Sequence, residues 1–196
     1  KKGQSRPKGF ERQTVNKVAV LGAGMMGAGI AYVAAKAGID VVLLDTSIEN
    51  ANQGKQYSDK LLDKAISLSR GRSNATKKVG LLSKIQTTTS YNDIVGCDLV
   101  IEAVFENRDI KAKCTEQAEA IIPESAVYAS NTSTIPITSL AVASKRLAQF
   151  IGLHFFSPVD KMPLVEIIMG AQTDDATLAK AFDFVLRIPL ECEAED

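Results

Sequence analysis

The sequence contains a single histidine, His154, which lies in the apolar run 150–156. Glu166 lies in the next apolar run, 164–169, beyond a loop with two prolines. If both runs are strands, this short loop can bring the two side chains together. A carboxylate bound to one imidazole nitrogen fixes the tautomer, stabilises the charged ring and leaves the other nitrogen free as a base. The pair predicts proton abstraction from a substrate; a structural histidine–glutamate pair in the core is the alternative.

A second candidate site is the motif Gly22-x-Gly24-x-x-Gly27, which directly follows the apolar, β-branched run 17–21. Residues 28–37 are rich in small and apolar side chains, as suits a helix packed closely on a sheet. In such a turn the first glycine allows a sharp bend, the second leaves room for a pyrophosphate, and the third lets the helix approach the strand. The N–H groups at the helix start would hold the phosphates.

Asp45 ends the next predicted strand, 41–44, where dinucleotide-binding proteins place an acid. A carboxylate there accepts hydrogen bonds from both ribose hydroxyls of NAD and repels the 2′-phosphate of NADP. NAD is therefore the predicted cofactor, and a glycine-rich turn that binds nothing is the alternative. Oxidation of an alcohol by a nicotinamide needs a base for the hydroxyl proton, which favours the catalytic interpretation of His154.

Strands and helices alternate from residue 17 to about residue 145, which predicts an α/β fold with a Rossmann-type, doubly wound, mostly parallel sheet. Further strands are predicted over 83–89, 98–104 and 126–130, and further helices over 48–68, 109–121, 137–143 and 174–187. Ligands of such sheets bind beyond the carboxyl ends of the strands. Asp45, Glu106 and the polar cluster 131–134 all follow such ends, so we expect them at one edge. Glu102 and Glu106 are rival acids there.

The composition and charge exclude several classes of protein. The 196 residues are 45% hydrophobic, and 23 basic side chains balance 23 acidic ones, so no excess charge argues for nucleic acid or a membrane surface. The three cysteines are scattered and lack metal-ligand spacing, which predicts reduced thiols, no metal site and a cytoplasmic location. No apolar run is long enough to span a membrane. We expect a linker over 1–16, one domain over 17–188 and a tail over 189–196.

Four segments carry a resemblance to a known family: GAGMMGAGIA, IEAVFEN, ASNTSTIPI and GLHFFSPVDKMPLVEII. Across residues 17–170 the chain resembles the NAD-binding domain of L-3-hydroxyacyl-CoA dehydrogenases, most closely that of multifunctional fatty acid oxidation complex α-subunits. In those proteins this domain follows an enoyl-CoA hydratase domain. The resemblance implies NAD-dependent oxidation of 3-hydroxyacyl-CoA to 3-oxoacyl-CoA in β-oxidation. It also implies an oligomeric full-length protein with a thiolase subunit as partner.

The resemblance assigns roles to residues that match the family motifs. The cofactor contacts it implies are Gly22, Gly24, Met26, Gly27, Asp45, Val104, Phe105, Glu106, Lys111, Asn131, Ser133 and Ser157. The catalytic residues it implies are His154 as the base, Glu166 as its orienting partner and Ser133 at the substrate hydroxyl.

Two departures from the family pattern shape the functional expectation. The family usually has asparagine near the nicotinamide at the position of Ser157, and serine is shorter. The helical C-terminal domain of the family is absent from this sequence, so we expect an isolated NAD-binding domain that is poorly active alone. The alternatives are a dinucleotide-binding module without catalysis and a dehydrogenase of another short hydroxyacyl thioester.

Overall fold

Apolar and β-branched runs form the strands of one sheet, and segments with helical spacing cover it. The computed structural model describes residues 5–68 and 75–189. The strands are β1 (Lys17–Leu21), β2 (Asp40–Leu44), β3 (Ile85–Thr88), β4 (Leu99–Glu102), β5 (Val127–Ser130), β6 (Phe150–Phe155) and β7 (Val165–Met169). The helices are α1 (Met25–Lys36), α2 (Ile48–Leu68), α3 (Ala75–Ser83), α4 (Arg108–Glu119), α5 (Ile137–Leu140) and α6 (Asp175–Arg187).

The strand order is β3-β2-β1-β4-β5-β6-β7. All neighbouring strands are parallel except β6 and β7, which form an antiparallel pair. The chain crosses from one side of β1 to the other between β3 and β4, and this reversal opens a crevice at the carboxyl ends of β1 and β4. The predicted Rossmann-type, mostly parallel fold is confirmed.

Alternate residues of each central strand enter opposite layers of the core. In β1, Val18 and Val20 join the cluster beneath α1 and α6, whereas Ala19 and Leu21 join the cluster that contains Tyr128. This division follows from the two-residue period of a strand. Both faces of the central strands are therefore sealed from water, as a parallel sheet requires.

Helix α3 was not predicted from the sequence, and the strand predicted over 83–89 begins only at Ile85. The helix depends on partners that are distant in sequence. The ammonium of Lys78 lies 2.7 Å from a carboxylate oxygen of Asp59 and 2.5 Å from one of Asp63, both on α2. Leu81 packs against the core. These contacts with distant residues, rather than local hydrophobic periodicity, stabilise helix α3.

The segment before β1 lies against the end of α6. The guanidinium of Arg6 donates to both carboxylate oxygens of Asp183 at 2.7 and 2.8 Å, and the backbone N–H of Gln13 donates to the same carboxylate at 2.9 Å. Arg187 donates to the carbonyl of Val15, whose side chain is buried in the core. The polar composition did not indicate this anchoring. The linker role of 1–16 stays a prediction, and residues 1–4 and 190–196 lie outside the described ranges.

Across residues 5–68 and 75–189, no helix is long and apolar enough to cross a membrane.

Candidate active site

The turn between β1 and α1 has the geometry of a phosphate-binding loop. Gly22 has a φ of 93°, and a Cβ there would lie 2.7 Å from the carbonyl oxygen of Ala103, so only glycine fits. A Cβ at Gly27 would overlap the carbonyl of Gly22, so its absence allows α1 to pack closely on the turn. A Cβ at Gly24 would meet no atom within 4 Å. Open space therefore lies in front of the helix start, where the first N–H groups lack intrahelical acceptors.

Asp45 lies beside this turn, at the carboxyl end of β2. Its Oδ2 accepts a hydrogen bond from the backbone N–H of Ala23 at 2.7 Å. Its Oδ1 accepts from the backbone N–H of Thr46 at 2.7 Å and from the amide of Asn50 at 3.2 Å. Burial acts to raise the pKa of this carboxyl, but the hydrogen bonds outweigh burial and hold the pKa below its ordinary value. A fixed carboxylate at this position suits ribose hydroxyls.

Glu102 occupies a buried position behind the turn and joins three elements. Its Oε1 accepts from the ammonium of Lys111 on α4 at 2.8 Å and from the backbone N–H of Val104 at 2.9 Å. Its Oε2 accepts from the hydroxyl of Ser130 at 2.7 Å. Burial raises the pKa of Glu102, and the ammonium and hydroxyl limit that rise. Lys111, for which the resemblance implies a cofactor contact, is thus almost fully buried in this network.

Glu106 organises the loop that follows β5. One of its carboxylate oxygens accepts hydrogen bonds from the hydroxyls of Thr132 and Thr134, and the other lies 3.3 Å from the ammonium of Lys111. Burial acts to raise the pKa of Glu106, but these partners lower it below its ordinary value. Glu106 is therefore held as a carboxylate among donors. This arrangement fits the positioning of the loop that carries Ser133 better than it fits proton donation.

His154 and Glu166 face each other directly across the β6–β7 ladder. The imidazole Nδ1 lies 2.8 Å from Oε2 of Glu166, so the predicted pairing of these side chains is confirmed. The side chain of His154 is 18% exposed and that of Glu166 is 51% exposed. The ring of Phe156 packs on the imidazole with centroids 4.4 Å apart. With Nδ1 bound to the carboxylate, Nε2 is the nitrogen left for a substrate.

A cleft of about 330 Å³ lies at the carboxyl ends of the central strands. Its lining residues are Met26, Ala103, Val104, Glu106, Asn131, Ser133, His154, Phe155, Phe156 and Ser157. All of them except Ala103, Phe155 and Phe156 are site residues that the sequence predicted. The cleft thus brings the start of α1, the loop after β5 and the histidine strand into one cavity, as expected for a doubly wound sheet.

Phe155 and Phe156 were interpreted from the sequence only as strand residues. The backbone N–H of Phe155 donates to Oδ1 of Asn131 at 2.9 Å, which joins the end of β6 to the loop after β5. The signal for a site role was their position directly after the histidine. Phe105, another implied cofactor contact, lies outside the cleft lining and is 84% exposed. The binding roles assigned to the site residues stay predictions.

A doubly wound sheet with a glycine turn before α1, an acid after β2 and a histidine–glutamate pair beside one cleft defines a Rossmann-type dinucleotide-binding domain. The family model described as "3-hydroxyacyl-CoA dehydrogenase, NAD binding domain" matches residues 17–191. The chain belongs to this family. The family resemblance and NAD as the family's cofactor are thereby confirmed.

Curated relatives and solved structures agree with this assignment. The chain is 42% identical over 176 residues to the fatty acid oxidation complex subunit alpha of Colwellia psychrerythraea, a match that covers 90% of this chain and 24% of that protein. The same subunit of Psychrobacter arcticus is 42% identical over 165 residues, covering 84% and 23%. This chain therefore spans about a quarter of the length of the curated relatives it matches.

Two solved structures share the fold closely. The (S)-3-hydroxybutyryl-CoA dehydrogenase PaaH1 of Ralstonia eutropha has a TM-score of 0.84 and 40% identity, covering 89% of this chain and 61% of that one. The 3-hydroxybutyryl-CoA dehydrogenase of Escherichia coli has a TM-score of 0.84 and 33% identity, covering 89% and 37%.

Proposed function

We propose that this chain is the NAD-binding part of an enzyme that oxidises L-3-hydroxyacyl-CoA to 3-oxoacyl-CoA in fatty acid β-oxidation. The observation that carries the proposal is the 2.8 Å contact between Glu166 and His154, because His154 lines the same cleft as the start of α1. A base oriented by a carboxylate, next to a dinucleotide turn, is the arrangement that alcohol oxidation needs.

Each polar side chain at the site has a separate role in the proposed oxidation. Nε2 of His154 takes the proton of the substrate hydroxyl, and Glu166 stabilises the imidazolium that results. Ser133, at the cleft, binds the same hydroxyl, and Asn131 holds the end of β6 in place. NAD, when bound, would supply the hydride acceptor, so that the C–O bond of the substrate becomes a carbonyl as the hydride leaves the same carbon.

The cofactor site that we propose fits NAD at both ends. The pyrophosphate is held by the start of α1, where Gly24 leaves open space and Met26 lines the cleft. Asp45, fixed by three N–H donors, binds the adenine ribose. Ser157 lines the cleft at the position where the family usually has asparagine, and its shorter side chain reaches less far toward the nicotinamide end.

For the whole protein we propose a multifunctional assembly. The curated relatives are named as subunits of a fatty acid oxidation complex. This name supports association with other subunits, and the family resemblance adds an enoyl-CoA hydratase domain, an oligomeric state and a thiolase subunit to the proposal. The absence of a secretory pattern in the cysteines supports a cytoplasmic location. Copurification of the full-length protein with a thiolase would test the assembly.

Titration of the 196-residue chain with NAD and with NADP tests the cofactor part of the proposal. We expect NAD to bind and NADP to bind far more weakly, and we expect Asp45→Asn to reduce this preference. Asp40→Asn is the matched control, because it removes a carboxylate at the opposite end of the same strand. Equal binding of both dinucleotides, or of neither, contradicts the assignment of Asp45.

A dinucleotide-binding module without catalysis is the second candidate. Such a module would have the same glycine turn, but it would have no use for a histidine oriented by a glutamate. Reduction of NAD with 3-hydroxybutyryl-CoA by the full-length protein distinguishes the two, because only the enzyme produces NADH.

A further inference from the structure

The loop over residues 156–164 joins the strand that carries His154 to the strand that carries Glu166. It places Ser157 at the cleft, and the ring of Phe156 at its start packs on the imidazole. The position of this loop therefore affects both the lining of the cleft and the surroundings of the histidine.

The loop is fastened to α1 through Val159. That side chain is buried, and a Cβ at Gly29 would lie 2.8 Å from the Cβ of Val159, so glycine is needed for this approach. The hydroxyl of Ser157 also lies 3.6 Å from the sulfur of Met25, at the start of the same helix. The loop thus rests on the helix that begins at the cofactor turn.

A second attachment joins the loop to α2. The hydroxyl of Tyr57 donates to Oδ1 of Asp160 at 2.8 Å, across a separation of 103 residues in sequence. Burial raises the pKa of Tyr57 to about 12, and the carboxylate of Asp160 adds to this rise, so the phenol keeps its proton at neutral pH. Because α2 begins just after Asp45, this hydrogen bond connects the ribose side of the domain to the histidine side.

We propose that Tyr57 and Asp160 are positioning residues that hold the loop carrying Ser157 against the cofactor half of the domain, so that the nicotinamide end of NAD is bound beside His154. Neither residue lines the cleft, so both act through the loop. The inference rests on the proposed NAD-binding function.

The test compares two ligands of the 196-residue chain by calorimetric titration: NAD, and ADP-ribose, which lacks the nicotinamide. Tyr57→Phe removes only the hydroxyl, and we expect it to weaken NAD binding about fivefold, the effect of losing one hydrogen bond, while ADP-ribose binds as before. Asp160→Ala should give the same selective loss. Asp160→Asn keeps an acceptor oxygen and should retain most of the NAD affinity.

The matched control is Tyr91→Phe, which also removes the hydroxyl of a half-buried tyrosine but lies in the other core layer. It should change the affinity for neither ligand. Equal weakening of NAD and ADP-ribose by Tyr57→Phe would show a general structural role and overturn the proposal, as would unchanged NAD affinity in both Tyr57→Phe and Asp160→Ala. If the unmodified chain binds neither ligand, the proposed function fails first, and the positioning role fails with it.

Discussion

The ammonium of Lys111 lies 2.8 Å from the carboxylate of Glu102, and both side chains are almost completely removed from solvent. This ion pair connects α4 to β4, and the hydroxyl of Ser130 extends the connection to β5. All three elements end or begin at the cleft. The pair therefore fixes the relative positions of the segments that carry the site residues. A buried pair of this kind is sensitive to loss of one partner, because the other charge is then left uncompensated.

Substitution of one member of this pair should destabilise the domain strongly. We expect Lys111→Met to lower the free energy of unfolding by about 3–5 kcal/mol, because it leaves the carboxylate of Glu102 buried without its counter-ion. The double variant with Glu102→Leu should recover a large part of that loss, since no unpaired charge remains. Urea denaturation of the single and double variants measures both effects, and equal losses would contradict this explanation.

Replacement of the histidine should slow turnover strongly while the protein still binds the cofactor. In the full-length protein, we expect His154→Ala to reduce kcat by roughly 10²–10⁴-fold, the contribution of a general base. NAD affinity should stay near that of the unmodified protein. Glu166→Gln, which retains a hydrogen-bonding oxygen but no charge, should lower kcat less. Steady-state NADH formation and NAD titration give the two readouts. A normal rate in His154→Ala would rule out its role as base.

Two left-handed glycines provide a matched comparison at the cofactor turn. Both Gly22 and Gly96 have positive φ, but a Cβ at Gly96 would meet nothing, whereas one at Gly22 would meet the carbonyl of Ala103. Gly96→Ala should therefore lower stability by only the backbone strain, about 1–2 kcal/mol, and leave NAD affinity unchanged. Gly22→Ala should lower stability further and weaken NAD binding. Thermal melts and titrations of both variants check this difference.

The segment before β1 should make stability depend on pH in the acid range. Burial acts to raise the pKa of Asp183, but hydrogen bonds from Arg6 and Gln13 lower it below its ordinary value. A carboxyl whose folded-state pKa is lowered stabilises the protein above its unfolded pKa, and this stability is lost as pH falls through the folded value. Melting temperatures measured from pH 7 down to about pH 3 should therefore fall less steeply in Asp183→Asn than in the unmodified chain.

The local sequence pattern was sufficient to predict the sheet and much of the site. The run of apolar residues around His154, the short loop after it and the next run made the pairing with Glu166 predictable. Helix α3 was missed because Lys78 finds its partners on α2, which periodicity does not reveal. The burial of Lys111 was also missed, since its partner Glu102 lies on another element. The features that the local sequence pattern did not predict thus depend on contacts between elements that are distant in sequence.

The pairing of His154 with Glu166 depends on the register of one antiparallel ladder, and this separates tolerated from damaging changes in chain length. An insertion between Asp160 and β7 lies beyond the contacts that Val159 and Asp160 make, and it leaves the register of the ladder unchanged. An insertion inside β7 shifts the strand by one residue and turns the carboxylate to the other face of the sheet. We therefore expect changes in length to be tolerated between Asp160 and β7 but not within β6 or β7, where each strand must keep its number of residues.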